Sequence, residues 1–159
     1  MPKEIVVRID AREQTPWIFE KEEKVSSSYK SIVIGSEINS LDAADYSIVG
    51  YEHLVRIERK NGFQELFGNM MPKENKERFE RETEKLIDIP HKYILIETNL
   101  NKDSLGMSVP QIYKGPPSNV VLKWLTSLQI QYGIHFMFVG DCGKKVARNI
   151  FDEIIKRYG

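Results

Sequence analysis

Apolar residues in this chain recur with two periods, two and about 3.6 residues, and the switches between them separate strands from helices. Residues 4–10 carry the β-branched run Ile5-Val6-Val7-Arg8-Ile9 and end on Asp10, which predicts a first strand. Residues 11–29 hold Pro16 and the serines 26–28, and predict a mobile, irregular surface segment reaching over a site at the strand's end. Lys30 to Ile34 reads as another strand, and residues 45–50 with 53–60 read as a pair joined at Gly50-Tyr51-Glu52. Phe63, Leu66, Phe67 and Met70 then repeat at helical spacing until Pro72 stops them. Residues 73–88 predict a strongly charged helix with Phe79, Thr83, Leu86 and Ile87 turned inward.

Tyr93 to Glu97 predicts a strand, and 99–117, rich in Asn, Gly, Ser and Pro, a loop placed to meet substrate. Ser118 suits the cap of a helix whose Val121, Leu125, Leu128 and Tyr132 share one face. Ile134 to Val139 is apolar enough for a central strand. A last helix over about 143–158 packs through Val146, Ile150, Phe151, Ile154 and Ile155. Strands alternating with helices imply an α/β class, a central mixed sheet flanked by helices, in a single domain over 1–159.

Composition narrows the setting more than the function. Lysine plus arginine and aspartate plus glutamate both total 23, so the average charge argues neither for nor against nucleic acid. A local basic rim would suffice for that. One cysteine, Cys142, excludes an internal disulfide and fits a reducing compartment. No apolar run reaches membrane-spanning length and the N-terminus lacks a signal-peptide pattern, so an intracellular protein is expected.

The chemistry concentrates in Val55-Arg56-Ile57-Glu58-Arg59-Lys60. Strand alternation puts Glu58 and Lys60 on one side and Arg59 on the other. A carboxylate two residues before a lysine on a strand is what metal-dependent phosphodiester hydrolysis requires, the acid for the cation and the amine for the water or phosphate. Asp10, Glu13 and Asp45 stand at other strand ends, and Asp45 with Glu58 and Asp10 are the expected metal ligands. Oxygen donors with no Cys-His set point to Mg2+ or Mn2+ rather than zinc. His53, His91 and His135 lie on separate elements, which argues against a histidine-based site. Exposed strand-end acids with no partner would be the plainer reading of the same residues.

Three strings then resemble one family: Val-Arg-Ile-Asp-Ala-Arg-Glu over 7–13, Asp45-Tyr46-Ser47-Ile48, and Ile57-Glu58-Arg59-Lys60. Together with Glu65-Leu66, the charged helix around Arg78-Phe79, the strand ending Ile96-Glu97, and Trp124 before Gln131-Tyr132-Gly133, they resemble the XPF-type nuclease domain, especially its compact bacterial and phage versions. The resemblance implies a restriction-endonuclease-like fold of the PD-(D/E)XK type. It implies a divalent-metal-dependent DNA endonuclease selective for flap, fork or branched DNA, with roles for Lys60, Glu58, Asp45, Asp10, Glu13 and Arg59. It also implies a homodimer through the C-terminal helices, which the broad apolar stripe of the last helix would suit. This chain departs from the family in having Ala44 where glycine precedes the acid, and Gln64 where the next acid stands, with Glu65 one place on.

Two other readings stay open. One is a non-catalytic DNA-binding or scaffold module of the same fold, and the other is a resolvase or restriction-type enzyme sharing the chemistry. Arg12 could meet a phosphate or a neighbouring acid; Lys114, Lys144, Lys145 and Arg148 could meet phosphates, the last three at the start of a helix. Phe79 and Trp124 sit on apolar stripes and read as core rather than base-stacking residues.

Overall fold

The computed structural model describes residues 3–22, 30–100 and 118–159. Strands β1 (Ile5–Ile9), β2 (Val33–Ile38), β3 (Tyr46–Ile48), β4 (Val55–Lys60), β5 (His91–Ile96) and β6 (His135–Phe138) form one six-stranded sheet in the order β2-β1-β3-β4-β5-β6. β3 is antiparallel to both β1 and β4, and the other neighbours are parallel. Helices α1 (Phe63–Met70), α2 (Lys73–Glu84), α3 (Ser118–Tyr132) and α4 (Gly143–Tyr158) cover its faces. Among the described residues no helix is long and apolar enough to cross a membrane.

Alternation divides the core. Leu95, Ile57, Val55 and Tyr46 face α4, where Ala147, Phe151, Ile154 and Ile155 are buried. Ile94 and Ile96 face α1 and α3, meeting Phe63, Leu66, Trp124 and Leu125. Phe79, half-buried, packs on the buried Trp124 with ring centroids 5.0 Å apart.

Several elements differ from the sequence reading, each for a tertiary reason. β2 begins at Val33 rather than Lys30, because Asp152 of α4 accepts from the Ser31 hydroxyl at 3.1 Å and the Ile32 N–H at 3.0 Å. β6 is an edge strand, not a central one, and Met137 on it is 40% exposed. α2 stops at Glu84, and the turns after it leave Ile87 exposed instead of inward. The described part of the segment after β1 is pinned into the core: Phe19 is buried, and its N–H donates to Ser36 Oγ at 3.0 Å. The serines 26–28, the loop over 101–117 with Lys114, and the capping side chain of Ser118 fall outside the described residues.

The stripe of α4 is covered within the chain only in part, with Val146 and Ile150 half-buried. Ile154 and Ile155 are buried against the sheet, on the face opposite α3, while Tyr158 at the helix end stays exposed beside His91.

Candidate active site

Topology collects the acids at one edge. β1, β4 and β5 run in the same sense, so Asp10, Lys60 and Glu97 all lie at their carboxyl ends; β3 runs against them and starts there, just after Asp45. The backbone of Asp45 stitches the two halves of the sheet. Its N–H donates to Ile57 O at 3.0 Å, and its carbonyl accepts from the Asp10 N–H at 2.8 Å. Its carboxylate Oδ2 accepts from the Arg59 N–H at 2.7 Å.

Glu58 and Lys60 share the α2 side of β4. Lys60 Nζ stands 3.1 Å from Glu58 Oε1 and 3.6 Å from Glu65 Oε1, with the ring of Phe79 5.4 Å away. Lys60 is buried, so its charge is held by these acids rather than by water. They, chiefly Glu58, hold its pKa above the usual lysine value despite the opposing pull of burial. Glu65 also accepts from the Asn61 N–H at 2.6 Å and so secures the start of α1.

The electrostatics favour a cation. Burial, then the neighbouring Glu58, pushes the Asp45 carboxyl up to about 8. Burial likewise raises Glu58, against the pull of Lys60. Two carboxylates whose anionic forms are disfavoured by burial and by each other lose that penalty when a divalent ion sits between them. Among the described residues no three Asp, Glu, His or Cys side chains are arrayed for a metal. A pair of carboxylates fits Mg2+ or Mn2+ nonetheless, because such ions keep several waters and take substrate phosphate oxygens as ligands.

The remaining predicted residues separate into groups. Asp10 is buried with both oxygens engaged, Oδ2 by Arg12 Nε at 2.7 Å and Oδ1 by the Leu41 N–H at 3.0 Å. It braces the cleft it lines, and each carboxylate oxygen keeps a second lone pair. Arg12 makes this ion pair while staying exposed on the cavity wall. Arg59 points to the α4 side, as alternation requires, and pairs there with Glu97 and, at 3.7 Å, with Glu13. Its guanidinium also donates to Thr15 O at 2.7 Å and lies 4.4 Å from the ring of Trp17. Lys144 and Lys145 are exposed at the start of α4, on the same edge of the sheet as the acids. Arg148 corrects the phosphate-contact expectation: it is buried, donating to Glu20 O, Val33 O and Ser31 Oγ and paired with Glu22.

A cavity of about 470 Å³ opens over this cluster, between the sheet and α2. Arg78, Lys92 and Tyr93 are among the wall residues not singled out for the site from the sequence. Arg78 is exposed on α2 and looked like one more solvated charge on a polar helix. Lys92 is buried in the floor, its Nζ donating to Ile89 O at 2.8 Å, and burial lowers its pKa. Tyr93 also reaches the wall. Behind the cavity, Tyr46 is the hub: its hydroxyl donates to Glu13 Oε2 at 2.9 Å and accepts from the Trp17 N–H at 2.9 Å. Its place directly after Asp45 was the one signal in the sequence.

No protein-family model matches the chain, and no curated protein matches it in sequence. Solved structures do. XPF from Aeropyrum pernix superposes with a TM-score of 0.59 at 18% identity, over 96% of this chain and 64% of that one. XPF from Aeropyrum pernix in complex with DNA gives 0.62 at 18% identity, over 96% of this chain and 66% of that one. The chain thus spans just under two thirds of these structures, and at such identity the likeness is one of fold. The chain therefore has an α/β, restriction-endonuclease-like fold, in the arrangement seen in the XPF structures.

Proposed function

We propose that this chain is a divalent-metal-dependent endodeoxyribonuclease acting on branched or nicked DNA. The observation that carries the reading is the pairing of Asp45 and Glu58, both with raised pKa, on the floor of an open cavity with Lys60 3.1 Å from Glu58. A Mg2+ or Mn2+ ion held by these two acids supplies Lewis acidity and neutralises phosphate charge.

The protein's own part is positional. Lys60, anchored between Glu58 and Glu65, aims its remaining N–H groups at the attacking water or a phosphate oxygen. Arg59 works from behind, tying Glu13 and Glu97 to β4 and presenting its backbone N–H to Asp45. Asp10 fixes the 39–41 turn through Leu41. Arg78 on the cavity rim and Lys144 with Lys145 on the same sheet edge suit phosphate contacts. The DNA-bound XPF structure supports a DNA substrate for this fold. Pairing of two copies through the C-terminal helices belongs to the same proposal and rests on the family resemblance.

The test is incubation of the purified chain with labelled flap, fork, junction and linear duplexes, in Mn2+ and in EDTA. Cleavage of branched substrates only with metal is expected. Binding without cleavage would make the chain a DNA-binding module, and equal cutting of linear duplex would remove the structure selectivity.

A further inference from the structure

Ala44, directly before Asp45, has φ of 65°, a left-handed conformation in which the Cβ of an ordinary residue crowds the following carbonyl oxygen. Glycine would take it freely. Something must hold alanine there, and the neighbouring contacts identify it. Arg56 of β4 is buried, on the same strand face as Glu58 and Lys60. Its Nε donates to Glu52 O at 2.6 Å, and its Nη1 to Asp42 Oδ1 at 2.6 Å and Ala43 O at 2.8 Å. Asp42 Oδ1 also accepts from the Ala43 N–H at 3.0 Å. The carbonyl of Ala43 belongs to the peptide plane whose rotation about N–Cα of residue 44 is φ itself. Gripping that oxygen therefore fixes the angle.

We propose that Arg56 is a positioning residue that locks Ala44 in its left-handed conformation and so aims the Asp45 carboxylate into the cleft. The proposal rests on Asp45 as a metal ligand, the reading given above. Without the lock, Ala44 relaxes to negative φ, the 43–44 peptide turns, and the Asp45 contacts to Ile57 O, the Asp10 N–H and the Arg59 N–H lose register.

The experiment is a cycle of Arg56→Met, Ala44→Gly and the double variant, read in two ways. Mn2+ affinity by calorimetry should fall about tenfold in Arg56→Met. It should return to near wild type in the double variant, because glycine takes the angle without a clamp. In metal-free protein, Ala44→Gly should raise the unfolding midpoint more when Arg56 is present and enforces the strain. In the Arg56→Met background, where alanine has already escaped the strain, the gain should be smaller. Unchanged Mn2+ affinity in Arg56→Met, failure of glycine to restore it, or strictly additive midpoints would each overturn the lock. If Arg56→Met does not fold, Arg56→Lys, which keeps the charge but not the forked donor set, takes its place. A wild-type chain that binds no Mn2+ overturns the functional reading alone, since the metal-free midpoints still judge Arg56.

Discussion

Asp45→Asn should stabilise the metal-free protein increasingly as pH rises, while removing its reaction. In the folded chain Asp45 titrates near 8, because burial and Glu58 disfavour its anion, against 3.8 for an ordinary aspartate. Between those values the folded state keeps a proton that the unfolded state has released. Wild-type stability therefore falls as pH climbs through that window, by at most about 1.4 kcal/mol per unit. At pH 7 the accumulated penalty is no more than about 4 kcal/mol, with Glu58 and Lys60 sharing part of it. Asparagine carries no charge, and its side-chain oxygen can still accept from the Arg59 N–H, so the variant lacks that slope.

Urea and thermal unfolding of both proteins in EDTA at several pH values from 5 to 8 measure the gap directly. The variant should gain steadily over wild type, each kcal/mol appearing as a shift of about 2–4 °C in the thermal midpoint. Adding Mn2+ should reverse the order, because only wild type is stabilised by binding. Parallel pH profiles would refute the reasoning, showing that Asp45 is ionised in the folded chain like any surface acid.

Lys60→Ala should bind DNA nearly as wild type but cut it slower by orders of magnitude in single-turnover assays; affinity falling in step with rate would make Lys60 a phosphate anchor instead. Lys144→Ala with Lys145→Ala should leave thermal stability unchanged and flatten the salt dependence of DNA binding, which titrations at several ionic strengths would show. Arg148→Met should do the opposite, lowering stability by about 1–3 kcal/mol in urea because the acceptors Ser31 Oγ and Val33 O lose their donor, with DNA affinity of the folded fraction intact. Sedimentation at micromolar concentration tests the pairing of two copies, and a strict monomer removes it. Ile154 is the wrong place for a disrupting charge, since it is buried within the chain, whereas Tyr158→Ala touches an exposed surface.

The succession of strands and helices was readable in the sequence because amphipathic periodicity is local: each residue's face follows from its neighbours two to four positions away. That is why Glu58 and Lys60 could be placed together and Arg59 behind them before any contact was known. The same periodicity says nothing about what lies across the sheet. Arg148 looked like a helix-start cation free for phosphate, but its partners Ser31 and Glu20 are 117 and 128 residues away. Asp10 could be placed at a strand end, but not the backbone N–H 31 residues on that braces its carboxylate. The order of strands, and with it the edge position of β6, depends on pairings that no single segment encodes. Ala44 shows the division most clearly. Its identity in the sequence argued against a left-handed angle, and the angle is taken because Arg56, brought alongside by the β3–β4 pairing, holds the carbonyl that defines it. Local sequence assigns residues to faces; long-range contacts decide which of those side chains are left free to act.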